Sequence, residues 1–132
     1  MKRTITLYLA TVAVLVPLDI LFLGVIAKSF FVAEVGDMLG TVRPLPAVLF
    51  YLLYAAGVVV FVSGAANGVS TTLQRGALFG LFCYATFDLT ALALLRHWSW
   101  PVAVLDIGWG MVATALSSSA GLLVANALTS RN

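Results

Sequence analysis

Three aspartates, Asp19, Asp88 and Asp106, stand inside long apolar runs. A charged side chain at the centre of a bilayer costs at least about 2.5–3.5 kcal/mol, so such residues face a protein interior or a cavity. Their depths can be compared. Asp19 lies eight residues before Ala27, roughly 12 Å of helix from that end. Asp88 lies seven residues before Leu95 and Asp106 five residues after Pro101, roughly 10 and 8 Å from the same membrane face. Helix direction alternates along the chain, yet all three acids fall in one layer. Three adjacent carboxyls cannot all be ionised there, so one or two protons are expected to be shared. The chemistry open to such a cluster is ligand binding, proton relay or acid/base catalysis. Lys28 and Arg96 are placed to reach inward and neutralise one acid.

Aromatic residues extend the layer. Tyr51 and Tyr54 follow Pro46 by five and eight residues, roughly 8 and 12 Å down their helix. Tyr84 precedes Asp88 by four residues and Trp109 follows Asp106 by three, so each shares a face with its aspartate. Every long apolar run thus contributes to one polar layer. Hydrogen bonds between membrane helices average only about 0.6 kcal/mol, which hardly offsets the insertion of three acids. The layer therefore reads as a site before it reads as helix glue.

The rest of the composition fits a membrane. Of 132 residues, 62% are hydrophobic and 9% charged. A soluble domain carries roughly 25% charged residues. The mean hydropathy is +1.09. The seven basic residues are scattered and form no stripe, so nucleic acid is not an expected partner. One Cys, Cys83, cannot form an intrachain disulfide and reads as a buried, inert thiol. One His, His97, leaves too few ligands for zinc or a bis-histidine haem, so no metal site is expected.

Four apolar segments satisfy the length of about 20 residues that a helical span requires. They cover about 5–27, 46–66, 76–95 and 101–123. The fold class is an all-α integral membrane protein, four transmembrane helices in an antiparallel up-down bundle, forming a single domain over 1–132. Lys2-Arg3 and the apolar run behind it resemble a signal peptide, but the run from Thr4 to Ala27 is 24 residues, against about 7–15 for a signal core, so it reads as a retained span. Pro17 frees the Ala13 carbonyl and predicts a kink. Pro46 and Pro101 suit the first turns of their helices, and Asn67-Gly68 suits a turn. Lys2, Arg3, Arg75 and Arg131 collect on one side, Lys28, Arg43 and Arg96 on the other, which favours cytoplasmic termini by one residue. In the first connection, Phe31, Val35, Met38 and Val42 recur at helical spacing. They suggest a short interfacial helix that anchors the loop, with a lid over the site as the alternative. Trp98 and Trp100 read as an interfacial aromatic belt. Gly76, Gly80, Tyr84 and Asp88 form one stripe, and Asp106, Gly110, Ala113, Ser117 and Ala120 another, where small residues let helices approach closely. No polar stripe is expected to continue beyond the layer.

Segments DILFLG at 19–24, FYLLY at 50–54, GALFGLFCYATFDLT at 76–90 and LDIGWG at 105–110 resemble, in order and spacing, the bacterial membrane protein family DUF2177. The resemblance spans nearly the whole chain. It implies a small four-span inner-membrane protein without an established activity. The family's characteristic polar positions map onto Asp19, Asp88, Thr90, Asp106 and Trp109. The chain departs from the family's common pattern with Ala91, where relatives carry Asn, and with Phe22, where relatives often carry Trp.

Three functions compete. In the first, an intramembrane pocket binds or acts on an amphiphilic or small-molecule ligand, with Asp88 and Asp106 as polar contacts or acid/base groups and Tyr54, Tyr84 and Trp109 as walls. No nucleophile–base motif, phosphate loop or metal cluster appears, so neither a reaction type nor a cofactor is assigned. The second is a small proton-coupled transporter working as a homo-oligomer. The third is an accessory subunit of a larger membrane complex, its Gly/Ala faces turned to a partner.

Overall fold

The computed structural model describes residues 2–38, 43–64 and 68–129. Val42, Ala66, Asn67 and Arg131, singled out above, lie outside them. Helix α1 spans Lys2–Leu21 and continues as a wider π-helical turn over Phe22–Ile26. It passes through Pro17 without losing its helical course. After Ala27 a short helix, α2, covers Lys28–Val35 and ends in one tighter turn, Gly36–Met38. Helix α3 spans Pro44–Val58 and also ends in a π turn, Val59–Ser63. Helices α4 (Val69–Leu94) and α5 (Trp100–Thr129) are long and uninterrupted. Among the described residues all regular structure is helical, and four segments are long and apolar enough to cross a membrane.

The boundaries follow local chemistry. Helix α3 starts at Pro44 rather than Pro46, because proline at the first helical position loses no hydrogen bond. Ser99 caps α5: its Oγ accepts from the Val102 N–H and its carbonyl from the Ala103 N–H. Gly68 precedes α4 with φ +105°, a conformation open to glycine. Helix α4 begins seven residues before the expected start at Gly76, so Arg75 is an exposed helical residue near its first turns.

Helix α5 holds the centre, packed against α4 on one side and α1 on the other. The small-residue stripes meet each other. A methyl group on Gly80 would collide with the Gly110 backbone, one on Gly76 with Ala115 and Ser118, and one on Gly110 with the Tyr84 ring. On the other side Gly121 leaves room for Thr11. Partners of α1 are met in reverse order along α5: Arg3 reaches Asn126, Thr11 lies at Gly121, and Asp19 reaches Trp109. Helix α3 contributes Tyr54, Val58 and Val62 to a core with Leu15 and Ala113. Its backbone comes close to α4 mainly at the π turn; higher up, the two backbones stand apart.

Buried hydroxyls extend well beyond the aspartate layer, contrary to the sequence expectation. Thr11, Thr72, Thr114, Ser117, Ser118 and Ser119 are all buried. Several bond back to their own helix: Thr11 to the Leu7 carbonyl, Thr72 to Gly68, Ser118 to Thr114. Such bonds let small side chains pack between helices without an orphaned donor. Gly80→Ala should therefore lower stability by about 1–3 kcal/mol through overpacking. Gly108→Ala, where a methyl group meets open space, should be neutral or slightly stabilising. Thermal unfolding of the detergent-solubilised variants checks the contrast; equal melting temperatures would contradict the close approach of α4 and α5.

Candidate functional site

The three aspartates converge, but not as equals. Asp19 is buried on α1. Its Oδ1 accepts the Trp109 indole N–H at 2.7 Å, and its Oδ2 accepts the Tyr51 hydroxyl at 2.8 Å. Trp109 is held for this by Phe22, which stacks on it 4.3 Å away and 2° from parallel. The π turn beginning at Phe22 turns that ring inward, while Leu21 and Leu23 stay exposed. Phe22 thus serves as the stacking surface for Trp109.

Asp88 and Asp106 form the second group. Asp88 is fully buried. Its Oδ1 accepts the Trp98 indole N–H at 3.2 Å, and its Oδ2 has no donor among the described residues. Its neighbour is the Asp106 carboxyl, within hydrogen-bonding reach. Two carboxylates only accept, so a hydrogen bond between them requires one shared proton. No other side chain among the described residues donates to Asp106. The Tyr54 and Thr114 hydroxyls share a bond at 2.6 Å just below, and the Tyr84 ring stands edge-on to Tyr54 at 6.0 Å.

Several expectations change. Trp98 is no mere belt residue: it reaches into the layer and packs edge-on against Phe87 at 5.7 Å, whereas Trp100 is exposed. Thr90 does not join the site. It is exposed and donates to the Thr86 carbonyl, because a residue two positions after Asp88 faces away from it. Lys28 and Arg96 are exposed, and no ion pair joins them to an aspartate among the described residues. Long cationic side chains keep their heads in water when they can. Cys83 is only half-buried and faces an open space rather than a closed core.

That space is a cavity of about 450 Å³ between α1, α3, α4 and α5. Asp19 and Asp106 form its polar end, and Tyr51, Tyr54 and Tyr84 its walls. Phe50 and Phe87 flank the gap between α3 and α4, and both are exposed to the surroundings of the bundle. Sequence spacing does contain this signal: Phe50 shares a face with Tyr54, and Phe87 shares one with Cys83 and Tyr84.

Two connections close over the layer. Ser99, besides capping α5, donates its hydroxyl to Glu34 at 2.8 Å. His97 lies 3.3 Å from Asp37, both more than half exposed, so this pair adds little. Val35 is fully buried and Phe31 packs edge-on against Phe22 at 6.4 Å. Helix α2 is therefore seated on the bundle above Asp19 and Trp109.

The family model described as predicted membrane protein (DUF2177) matches residues 4–123. The chain belongs to that family. No match is found among curated proteins or among solved structures.

Trp109→Phe keeps a ring against Phe22 but leaves Asp19 Oδ1 without its donor. The expected loss is about 1–3 kcal/mol of stability. Trp98→Phe should cost less, since its bond to Asp88 is longer. Thermal melts of the two variants decide this; a larger loss at Trp98 would reverse the assignment.

Proposed function

We propose that the chain binds an amphiphilic small molecule, admitted from the bilayer between α3 and α4, with its polar end at the aspartate layer. One observation carries the reading: a cavity of about 450 Å³ joins buried Asp19 and half-buried Asp106 to an opening between α3 and α4. Ligand sites are of this size, mostly apolar with few converging polar groups. Below it, sharing Phe50, Tyr54 and Cys83, a second hollow of about 390 Å³ runs past Gly57 and Phe79. A chain-like apolar tail fits this course along the bundle. Reaction chemistry is left open, because the acids and phenols suit proton transfer without a nucleophile beside them.

The buried hydroxyl stripe on α5 favours a second reading, proton-coupled transport by an oligomer. An acid jump across proteoliposomes should then move protons into the lumen, and Asp88→Asn should stop it. An accessory role in a larger complex has less support, because Gly76, Gly80, Gly110 and Ser117 are spent on contacts within the chain. An excess of one basic residue favours cytoplasmic termini, and the family resemblance favours a bacterial inner membrane.

The amphiphile reading predicts the outcome of blocking the entrance. Ala47 lines the cavity one helical turn before Tyr51. Native mass spectrometry of the protein from mild detergent should show a retained amphiphile. In Ala47→Trp that adduct should fall at least tenfold with helicity unchanged. No adduct on either form, or an equal one on both, would sink the reading.

A further inference from the structure

Resting on the amphiphile site just described, we propose that its ligand is a lipophilic organic cation, an alkylammonium held by Asp106 within a cage of aromatic rings. The first support is charge. The cavity is lined by Asp19 and Asp106, and no Lys, Arg or His is among its lining residues. Lys28 and Arg96 are exposed at the connections. An anionic head would meet carboxyls without a counter-charge in a place poor in water. A cation would meet the opposite charge there.

The second support is the unused acceptor capacity. Asp19 has a donor on each oxygen, from Trp109 and Tyr51. Among the described residues Asp106 takes no donor beyond the proton it shares with Asp88, which is fully buried behind it. One proton shared by that pair still leaves it one negative charge. An acidic group with spare acceptor capacity, opening on a cavity, calls for a positive occupant.

The third support is the walls. Tyr51, Tyr54, Tyr84, Phe50 and Phe87 all face the same space. Phe50 packs on Tyr51 at 5.0 Å and on Tyr54 at 5.4 Å, and Tyr84 meets Tyr54 edge-on at 6.0 Å, so the rings form one continuous aromatic wall. Aromatic faces attract a desolvated ammonium through their quadrupoles, and such cages recognise quaternary ammonium groups. Apolar walls alone would serve a neutral alcohol equally well; acids and aromatic faces together favour the cation.

Binding also competes with a proton. The titratable groups facing the cation are Asp19 on α1, Tyr51 and Tyr54 on α3, Cys83 and Tyr84 on α4, and Asp106 on α5, with Asp88 of α4 behind Asp106. The competitor is a second proton, which would neutralise the singly charged Asp88–Asp106 pair; the shared proton stays with the pair when the cation binds.

The experiment uses three probes of equal chain length: dodecyltrimethylammonium, dodecanol and dodecyl phosphate. Each is titrated into the full chain in nanodiscs free of choline lipids. The ammonium should bind at least tenfold more tightly than the other two. Its charge is fixed, so a weaker affinity at lower pH reports proton competition in the protein. Asp106→Asn should weaken the ammonium at least tenfold and leave dodecanol unchanged, which also shows that the variant is folded. Should dodecanol or dodecyl phosphate bind as tightly, or Asp106→Asn leave the ammonium unaffected, the cation assignment is overturned while the amphiphile site stands. If none of the three binds, the amphiphile reading itself fails. If Asp106→Asn loses dodecanol as well, Asp106 supports the fold rather than the ligand, and the assignment is again overturned.

Discussion

A carboxyl group within a bilayer must find its partners inside the protein, because lipid offers none. Three such groups in a chain of 132 residues set most of what the bundle does. Asp19 is met by donors from two other helices, Tyr51 on α3 and Trp109 on α5. Asp88 and Asp106 are met chiefly by each other, with Trp98 reaching in from the third connection. The layer thus ties α1, α3, α4 and α5 together at one depth. It also ties the bundle to its connections, since Ser99, the residue after Trp98, holds Glu34 of α2.

Satisfying those acids requires close approach, and close approach requires small residues. Gly76, Gly80 and Gly110 bring α4 against α5, which sets Asp88 beside Asp106 and lays Tyr84 over Gly110. Without a hydrophobic effect to press helices together in lipid, such packing is a main source of their association. The same geometry has a consequence on the other side. With α5 committed to α4 and α1, the α3 backbone comes close to α4 mainly at the π turn, while the Phe79 and Tyr84 side chains meet Tyr54, and Phe79 also meets Gly57. The upper gap is left to Phe50 and Phe87, and the cavity opens there. Site and opening are therefore products of one packing arrangement.

The spans and the acids were legible in the sequence because apolar runs are long and an aspartate inside one is conspicuous. Asp19, Asp88, Asp106, Tyr51, Tyr54, Tyr84 and Trp109 could be assigned to one layer from counted depth alone. Counting failed where direction around the helix mattered: Thr90 lies near Asp88 in depth but on another face. It failed again where a connection folds back. Trp98 sits at an interface in sequence, and only the turn between α4 and α5 aims its indole at Asp88. Hydroxyls were equally hidden, since Ser and Thr read as small packing residues whether or not they are enclosed. The cavity was not legible as a volume, because it depends on the separation of α3 from α4.

The two departures from the family pattern bear on which parts of the site carry function. Phe22 has no indole N–H, yet it stacks squarely on Trp109, the residue that donates to Asp19. Ala91 is buried and brings no amide to that depth. Both changes leave the layer's own bonds intact. A task that relied on an indole at position 22 or an amide at position 91 would be lost in this chain. A task that relies on the Asp88–Asp106 pair, the phenols and the opening between Phe50 and Phe87 would not. The chemistry this chain retains is therefore that of the cavity, whose solvent is the bilayer and whose polar end is acidic. Under the proposed function, selection among ligands would fall to charge rather than to hydrogen-bond pattern, since an apolar tail of any origin could reach the opening and only its head would meet the acids.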